Sequence, residues 1–358
     1  MRVGIIGDGL SGLTLAKTLV NQNIYVDNLI KKKKIISYNT RTIGISQSNI
    51  EFFNKNITNI DKLICKINKI EILSENFKGQ KLLNFKNKRK SLFSIVKNNN
   101  LLKFLIKDLS KNKYYKKIYY KQILSCLNKY DIIINTEYSN QLTKKYFNNF
   151  ILKKYNNFAY TTIIRHEKIS NNTATQIFTK KGPLAFLPIS DEETSIVYSL
   201  YGSTHKDRAD IQQLIHQFNY KYKIKKIEKM EIVELKSLNL KSYYYKNVLA
   251  FGDILHKIHP LAGQGFNMTI RDIKLFLEIV KRKKNLGLPL DVSANIEFEK
   301  KIKHNNLFFS QGIDLVYEFF NLERKLNSNL LGKSLQVLGR NAQINNFFTK
   351  IADRGIFM

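Results

Sequence analysis

The chain has 358 residues, 43% of them hydrophobic and 12% aromatic, enough to bury a core and to exclude a disordered chain. Sixty basic against 28 acidic residues leave a net charge of +32, yet no nucleic-acid motif accompanies it, so nucleic acid is set aside as a partner. Cys65 and Cys126 are too few for a disulfide framework or a cysteine-built zinc site, no metal is expected, and no apolar run reaches the roughly 18 residues of a membrane span.

Lys, Asn, Ile, Phe and Tyr are heavily used while Trp is absent, the pattern of drift in an A/T-rich coding sequence. A chain under that pressure should keep Gly and Pro mainly where backbone geometry demands them. Gly7, Gly9, Gly12, Gly252, Gly263 and Gly265 fall in two short segments, and Pro183, Pro188 and Pro260 lie in equally distinctive stretches. Clusters such as Lys31–Lys34 and Lys281–Lys284 are short, and drift explains most of the charge; the remainder would favour an anionic lipid surface.

The opening twenty residues have the charge and hydropathy of a signal peptide, but their glycine spacing has another explanation, and a mature intracellular protein is expected. Val3–Ile6 reads as a short buried strand, and Leu13, Ala16, Leu19 and Val20 give a helical period behind it. Between them Gly7-x-Gly9-x-x-Gly12 fits the dinucleotide fingerprint, with Leu10 and Ser11 at the helix start where phosphates would sit. A second strand near Ile24–Ile30 completes the start of a βαβ unit. The acidic residue expected at its end is replaced by Lys31, with Asp27 and Asn28 as the nearest polar alternatives.

Further along, Asn172–Val197 reads as strands joined by a turn at Gly182-Pro183, with Phe186, Leu187 and Pro188 walling a substrate pocket. Val248–Asp272 reads as strand, loop and helix. Asp253, just after the buried strand, can hold a polyol hydroxyl, and Gly263-Gln264-Gly265 opens a helix whose free N–H groups suit the N1–C2=O edge of a flavin. Residues 301–358 read as helices, with an apolar stripe of Phe308, Phe309, Ile313, Val316, Phe319 and Phe320 expected in the core.

The stretch from Gly252 to Asp272, GDILHKIHPLAGQGFNMTIRD, resembles the GD…HP…AGQGxN motif of FAD-dependent aromatic-ring monooxygenases of the para-hydroxybenzoate hydroxylase fold. The GPLAFLP of Gly182–Pro188 resembles a GPLALLP pattern of the ubiquinone-biosynthesis hydroxylases, the 2-octaprenyl-6-methoxyphenol hydroxylase type. Thr40-Arg41-Thr42 with Ser46, Val96 to Leu105, and Asp314 to Phe320 resemble further family elements. One element departs from the pattern: Glu137 and Tyr138 stand where the family has aspartate and glycine.

The resemblance implies an α/β protein with a Rossmann-like FAD-binding domain (1–67, 92–154 and 246–300) interleaved with a mostly antiparallel β-sheet substrate domain (68–91 and 155–245), and a helical C-terminus (301–358). It implies FAD held by Gly7, Gly9, Leu10, Ser11, Gly12, Arg41, Asp253, Pro260, Gly263, Gln264, Gly265, Phe266 and Asn267. His259 and Pro260 would shape the flavin edge, His256 would be structural, and Asp253 would contact the ribityl chain. NAD(P)H is the implied reductant. The implied chemistry is hydroxylation of a polyprenylated phenol with O2 through a flavin C4a-hydroperoxide. The implied setting is cytoplasmic, peripheral on the inner membrane, with other ubiquinone-biosynthesis proteins as partners. Two other readings stay open: a related flavoenzyme acting on another aromatic or an isoprenoid, and a catalytically impaired flavoprotein scaffold.

Overall fold

In a computed structural model of the protein, the described residues are 1–31, 40–75, 81–86, 91–120, 123, 128–202, 208–258 and 264–326. The N-terminal part builds β1 (Arg2–Ile6), α1 (Leu10–Val20), β2 (Tyr25–Ile30), β3 (Thr42–Ser46), α2 (Gln47–Asn56), β4 (Cys65–Ile67), β5 (Lys69–Ser74), β6 (Lys81–Lys86), β7 (Phe93–Lys97), α3 (Asn98–Leu109) and β8 (Tyr115–Tyr119). The middle holds β9 (Ile132–Asn135), α4 (Gln141–Tyr146), β10 (Phe150–His166), β11 (Thr173–Thr179), β12 (Gly182–Pro188), β13 (Glu193–Tyr201), α5 (Arg208–Phe218), β14 (Ile224–Ile227) and β15 (Glu231–Leu240). The last part contains β16 (Tyr244–Tyr245), β17 (Val248–Ala250), β18 (His256–Lys257), α6 (Gly265–Asn285) and α7 (Val292–Leu326).

Three sheets organise these elements. The first has the order β16-β17-β9-β1-β2-β8 and is parallel except for the β16–β17 hairpin. Helices cover both of its faces, so β1 and β9 are apolar nearly throughout, and Val3, Ile5, Ile6 and Ile132–Ile134 are all buried. The second is the large sheet, β18-β15-β10-β13-β12-β11-β5-β6 with β14 beside β10, antiparallel except where β11 meets β5. A small antiparallel sheet, β3-β7-β4, lies between them in the chain.

The interleaved α/β architecture expected from sequence is therefore present, with crossings at particular residues. The large sheet takes β10 from Phe150 onward, five residues earlier than the expected boundary at 155, because Phe150 already pairs with Leu240. It also recruits His256–Lys257, inside the stretch assigned to the other domain, since β18 pairs with β15 through Leu238 and Asn239.

Strand alternation gives the large sheet two different faces. Tyr160, Ile164, Leu184, Phe186 and Ile196 point to one side, where Ile211, Leu214 and Ile215 of α5 cover them. Tyr155, Ala159 and Leu235 point to the other and meet Tyr317 of α7. Asn239 Nδ2 donates to Ser310 Oγ at 2.9 Å, fixing α7 on that face. The expected C-terminal stripe divides: Phe309 is buried and Ile313 packs with it against Ile258 and Met268, whereas Phe308 is 53% exposed. The side chains of Val316, Phe319 and Phe320, and residues 327–358, lie outside the described residues. No described helix is long and apolar enough to cross a membrane.

Candidate functional site

The glycines of the first segment are each held to a different requirement. Gly7 has φ +104°, and a Cβ there would lie 2.7 Å from Thr136 Oγ1. On Gly12 a Cβ would lie 2.8 Å from the same oxygen and 2.9 Å from the Gly7 carbonyl. Thr136, which follows β9, is thus wedged between turn and helix; its hydroxyl donates to the Ile6 carbonyl at 2.7 Å. A Cβ on Gly9 would meet nothing within 4 Å, so this position opens onto free space at the N-cap of α1, where no side chain makes a capping bond. Leu10 and Ser11 follow in the first turn of that helix. An uncapped helix N-terminus beside open space is suited to a phosphate.

The second glycine segment closes on the first. Gly252 has φ +67°, and a Cβ there would be 2.7 Å from both Cβ and Oγ of Ser11. Because β17 and β9 run parallel beside β1, the turn Gly252–Ile254 emerges at the same sheet end as the Gly7–Gly12 turn. Asp253 is exposed in that turn and has no hydrogen-bond partner among the described residues. After the turn, α6 begins at Gly265 with Gln264 as N-cap, again with no side-chain capping bond, and a Cβ on Gly265 would meet only open space. Phe266 packs at the margin of the parallel-sheet core. His259, Pro260 and Gly263 lie outside the described residues.

Asn267 has a different use from that expected. Its side chain is buried: Oδ1 accepts from the Ser46 N–H and from Asn49 Nδ2, each at 2.9 Å, and Nδ2 donates to the Gly44 carbonyl at 2.9 Å. It therefore clamps the β3–α2 junction to α6. Arg41 stands just before β3, with Nε 3.5 Å from Glu231 Oε2 of β15. The flavin-domain arginine is in this way tied to the large sheet.

His256 is fully enclosed. Its Nε2 lies 2.5 Å from Asp272 Oδ2, and Asp272 Oδ1 accepts from Asn306 Nδ2 of α7 at 3.2 Å. Burial pushes the imidazole pKa down, but the Asp272 charge and hydrogen bond overcome it, and the net direction is upward. The structural role expected of His256 is thus a buried ion pair joining β18, α6 and α7.

The acid missing from the end of β2 is not replaced by its neighbours. Asp27 is buried against Arg2, Nη2 to Oδ2 2.7 Å, and accepts from the Tyr130 hydroxyl at 3.0 Å. Asn28 donates to the Ile5 and Gly7 carbonyls at 3.1 and 2.8 Å, which braces the glycine turn from below. The glycine-to-tyrosine departure costs no strain: Tyr138 is exposed and is not among the residues with positive φ. Asn140 instead caps α4 by accepting from the Thr143 N–H.

The three expected pocket residues do not share a surface. Phe186 is buried on the α5 side, and Pro188 is buried at the strand end. Leu187 points the opposite way, toward Ile67, Ile95 and Ala174. Ser195, its partner in register, accepts a hydrogen bond from Thr42 Oγ1 at 2.8 Å, so Leu187 is on the face turned to β3. Among the described residues no group of His, Cys, Asp and Glu side chains could hold a metal ion.

With this geometry in hand, comparisons identify the relatives. No family model matches the chain. The ubiquinone biosynthesis monooxygenase COQ6 of Danio rerio is 24% identical over 199 residues, covering 43% of this chain and 40% of that protein. The 3-demethoxyubiquinol 3-hydroxylase of Escherichia coli is 25% identical over 167 residues, covering 44% and 42%. The matches thus span less than half the length of these relatives. Among solved structures, p-nitrophenol 4-monooxygenase PnpA of Pseudomonas putida superimposes with TM-score 0.79 at 11% identity, covering 98% of each chain. Klebsiella pneumoniae HpxO in complex with FAD gives 0.76 at 12%, covering 98% and 99%. The fold is that of the FAD-dependent monooxygenases, and the sequence kinship is with the ubiquinone-biosynthesis monooxygenases.

Proposed function

We propose that the protein binds FAD and hydroxylates the aromatic ring of a polyprenylated phenol in ubiquinone biosynthesis. The observation that carries this reading is the convergence of the Gly7–Gly12 turn, the Gly252–Asp253 turn and the N-terminus of α6, sealed by the contact of Gly252 with Ser11. The residues fit the group: open space at Gly9 for a diphosphate, an unpartnered carboxylate at Asp253 for a polyol, and an electropositive helix end at Gly265 for the ring. The sequence kinship supports the phenolic substrate, and the NAD(P)H donor is part of the proposal rather than of that kinship.

Bound FAD supplies the activation of dioxygen that no amino-acid side chain provides. The chain's own residues bind and orient. Asp253 accepts from the sugar-alcohol hydroxyls, and the first N–H groups of α6 stabilise negative charge at the ring edge. Asn267 sets α6 against β3 through the Gly44 and Ser46 backbone. Leu187 and Ser195 belong to the sheet face that would cover the ring and exclude water. The purified protein should show a resolved flavin absorbance band that saturates at one FAD per chain, and cells lacking it should accumulate an under-hydroxylated quinone precursor. Absence of FAD binding at micromolar cofactor would overturn the reading and favour a scaffold without catalysis, a role to which Lys31 at the adenosine end of β2 lends weight.

A further inference from the structure

Three lysines form a row across one edge of the large sheet. Lys154 of β10 is directly opposite Lys236 of β15. Lys257 of β18 is opposite Leu238, two residues along β15, so it projects from the same sheet face as Lys236 and is its diagonal neighbour. Positions so related lie roughly 5 to 8 Å apart, and like charges directly opposite one another destabilise a sheet. Elsewhere the fold answers such charges: Lys97 finds Glu193 at 2.6 Å, Lys69 finds Glu71 at 2.6 Å, and Lys153 finds Glu318 at 3.0 Å. Lys154, Lys236 and Lys257 have no ion-pair partner among the described residues.

The row is also placed beside the candidate flavin site. Lys257 follows the Asp253 turn by four residues, is only partly exposed, and feels the charges of Asp253, Lys236, Arg41 and Glu234. Two carboxylates, Asp253 and Glu234, thus stand among four cations, one of which, Arg41, is held by Glu231. Drift toward lysine accounts for exposed lysines in general, but not for a half-buried one aligned with two others at the mouth of a site.

We propose that Lys154, Lys236 and Lys257 form an anion-docking row for the diphosphate of a nicotinamide dinucleotide, the reductant of this enzyme. The proposal rests on the FAD reading above and names the partner that site takes next. The row anchors the donor's phosphates at the sheet edge while Arg41 and Asp253 remain on the flavin side. Ammonium groups on flexible stems suit a phosphate as point charges.

The test compares Lys236→Gln/Lys257→Gln with Lys223→Gln, a control whose side chain is 82% exposed. Anaerobic reduction of the FAD-loaded protein by NADPH and by NADH gives the donor Kd and the limiting rate separately. Calorimetric titration with ADP-ribose gives a Kd independent of activity. The double variant should raise both Kd values about tenfold or more and flatten their salt dependence, with the limiting rate and FAD affinity unchanged. Unchanged ADP-ribose affinity, or a loss equal to that of the control, overturns the proposal and leaves an acidic protein as the donor to be sought. Should the protein hold no FAD, the functional reading fails, while the ADP-ribose titration still decides the row.

Discussion

Gly252 and Ser11 approach so closely that a single methyl group on the glycine would sit 2.7 Å from the serine side chain. Ser11 opens α1 and Gly252 precedes Asp253, so this one contact sets the distance between the phosphate end and the sugar-alcohol end of the candidate cofactor site. Gly252→Ala meets both the clash and a φ of +67°. We expect a loss of about 1–3 kcal/mol in unfolding free energy and at least tenfold weaker FAD binding, measured by denaturant titration and by flavin fluorescence.

Asp253 and His256 stand three residues apart and should fail in different ways. Asp253→Ala removes an exposed carboxylate, so FAD affinity should drop tenfold or more at nearly constant melting temperature. His256→Ala leaves Asp272 buried and unpaired and should cost about 3–5 kcal/mol of stability, with a much smaller effect on FAD affinity in the protein that remains folded. Equal FAD affinities in the two variants would contradict these roles.

The same ion pair predicts a pH dependence. The His256 pKa is raised in the folded protein, so folding favours its protonated form. That contribution is complete below the unfolded value of about 6.5 and is lost as pH rises through the higher folded value. Wild-type stability should therefore decline on the alkaline side of neutrality, and His256→Gln should flatten that decline. Thermal unfolding from pH 6 to 9 is the measurement; parallel curves for the two proteins would remove His256 as the titrating group.

Phe186 and Leu187 are neighbours on β12 with opposite duties. Phe186→Ala should cost about 3–5 kcal/mol, because the ring is buried under α5. Leu187→Ala leaves that core intact and should act on substrate handling through the face turned to β3. A larger stability loss for Leu187→Ala than for Phe186→Ala would reverse the assignment of faces.

Much of the site was legible in the chain because glycine is costly to keep where the backbone does not need it. Gly7, Gly12 and Gly252 each meet a neighbour that leaves no room for a Cβ, and all three were singled out by spacing alone. Residues whose importance depends on a distant partner were not legible. Thr136 fills the space between Gly7 and Gly12, although it lies more than a hundred residues away and looked like part of a lapsed motif. Asn267 matched a cofactor motif, but its side chain is engaged by Gly44, Ser46 and Asn49.

The sequence by itself determined the elements and their order: a glycine turn after a buried strand, a carboxylate after another, and alternating strands between them. Local geometry and burial dictate these, and both are written in neighbouring residues. Only the tertiary structure decided which of those residues face one another. Sheet order and register placed Gly252 on Ser11, turned Phe186 away from Leu187, buried His256 on Asp272 and aligned Lys154, Lys236 and Lys257. Pairing between strands far apart in the chain depends on the packing of whole faces, and a shift of one residue would send every side chain of a strand to the other side.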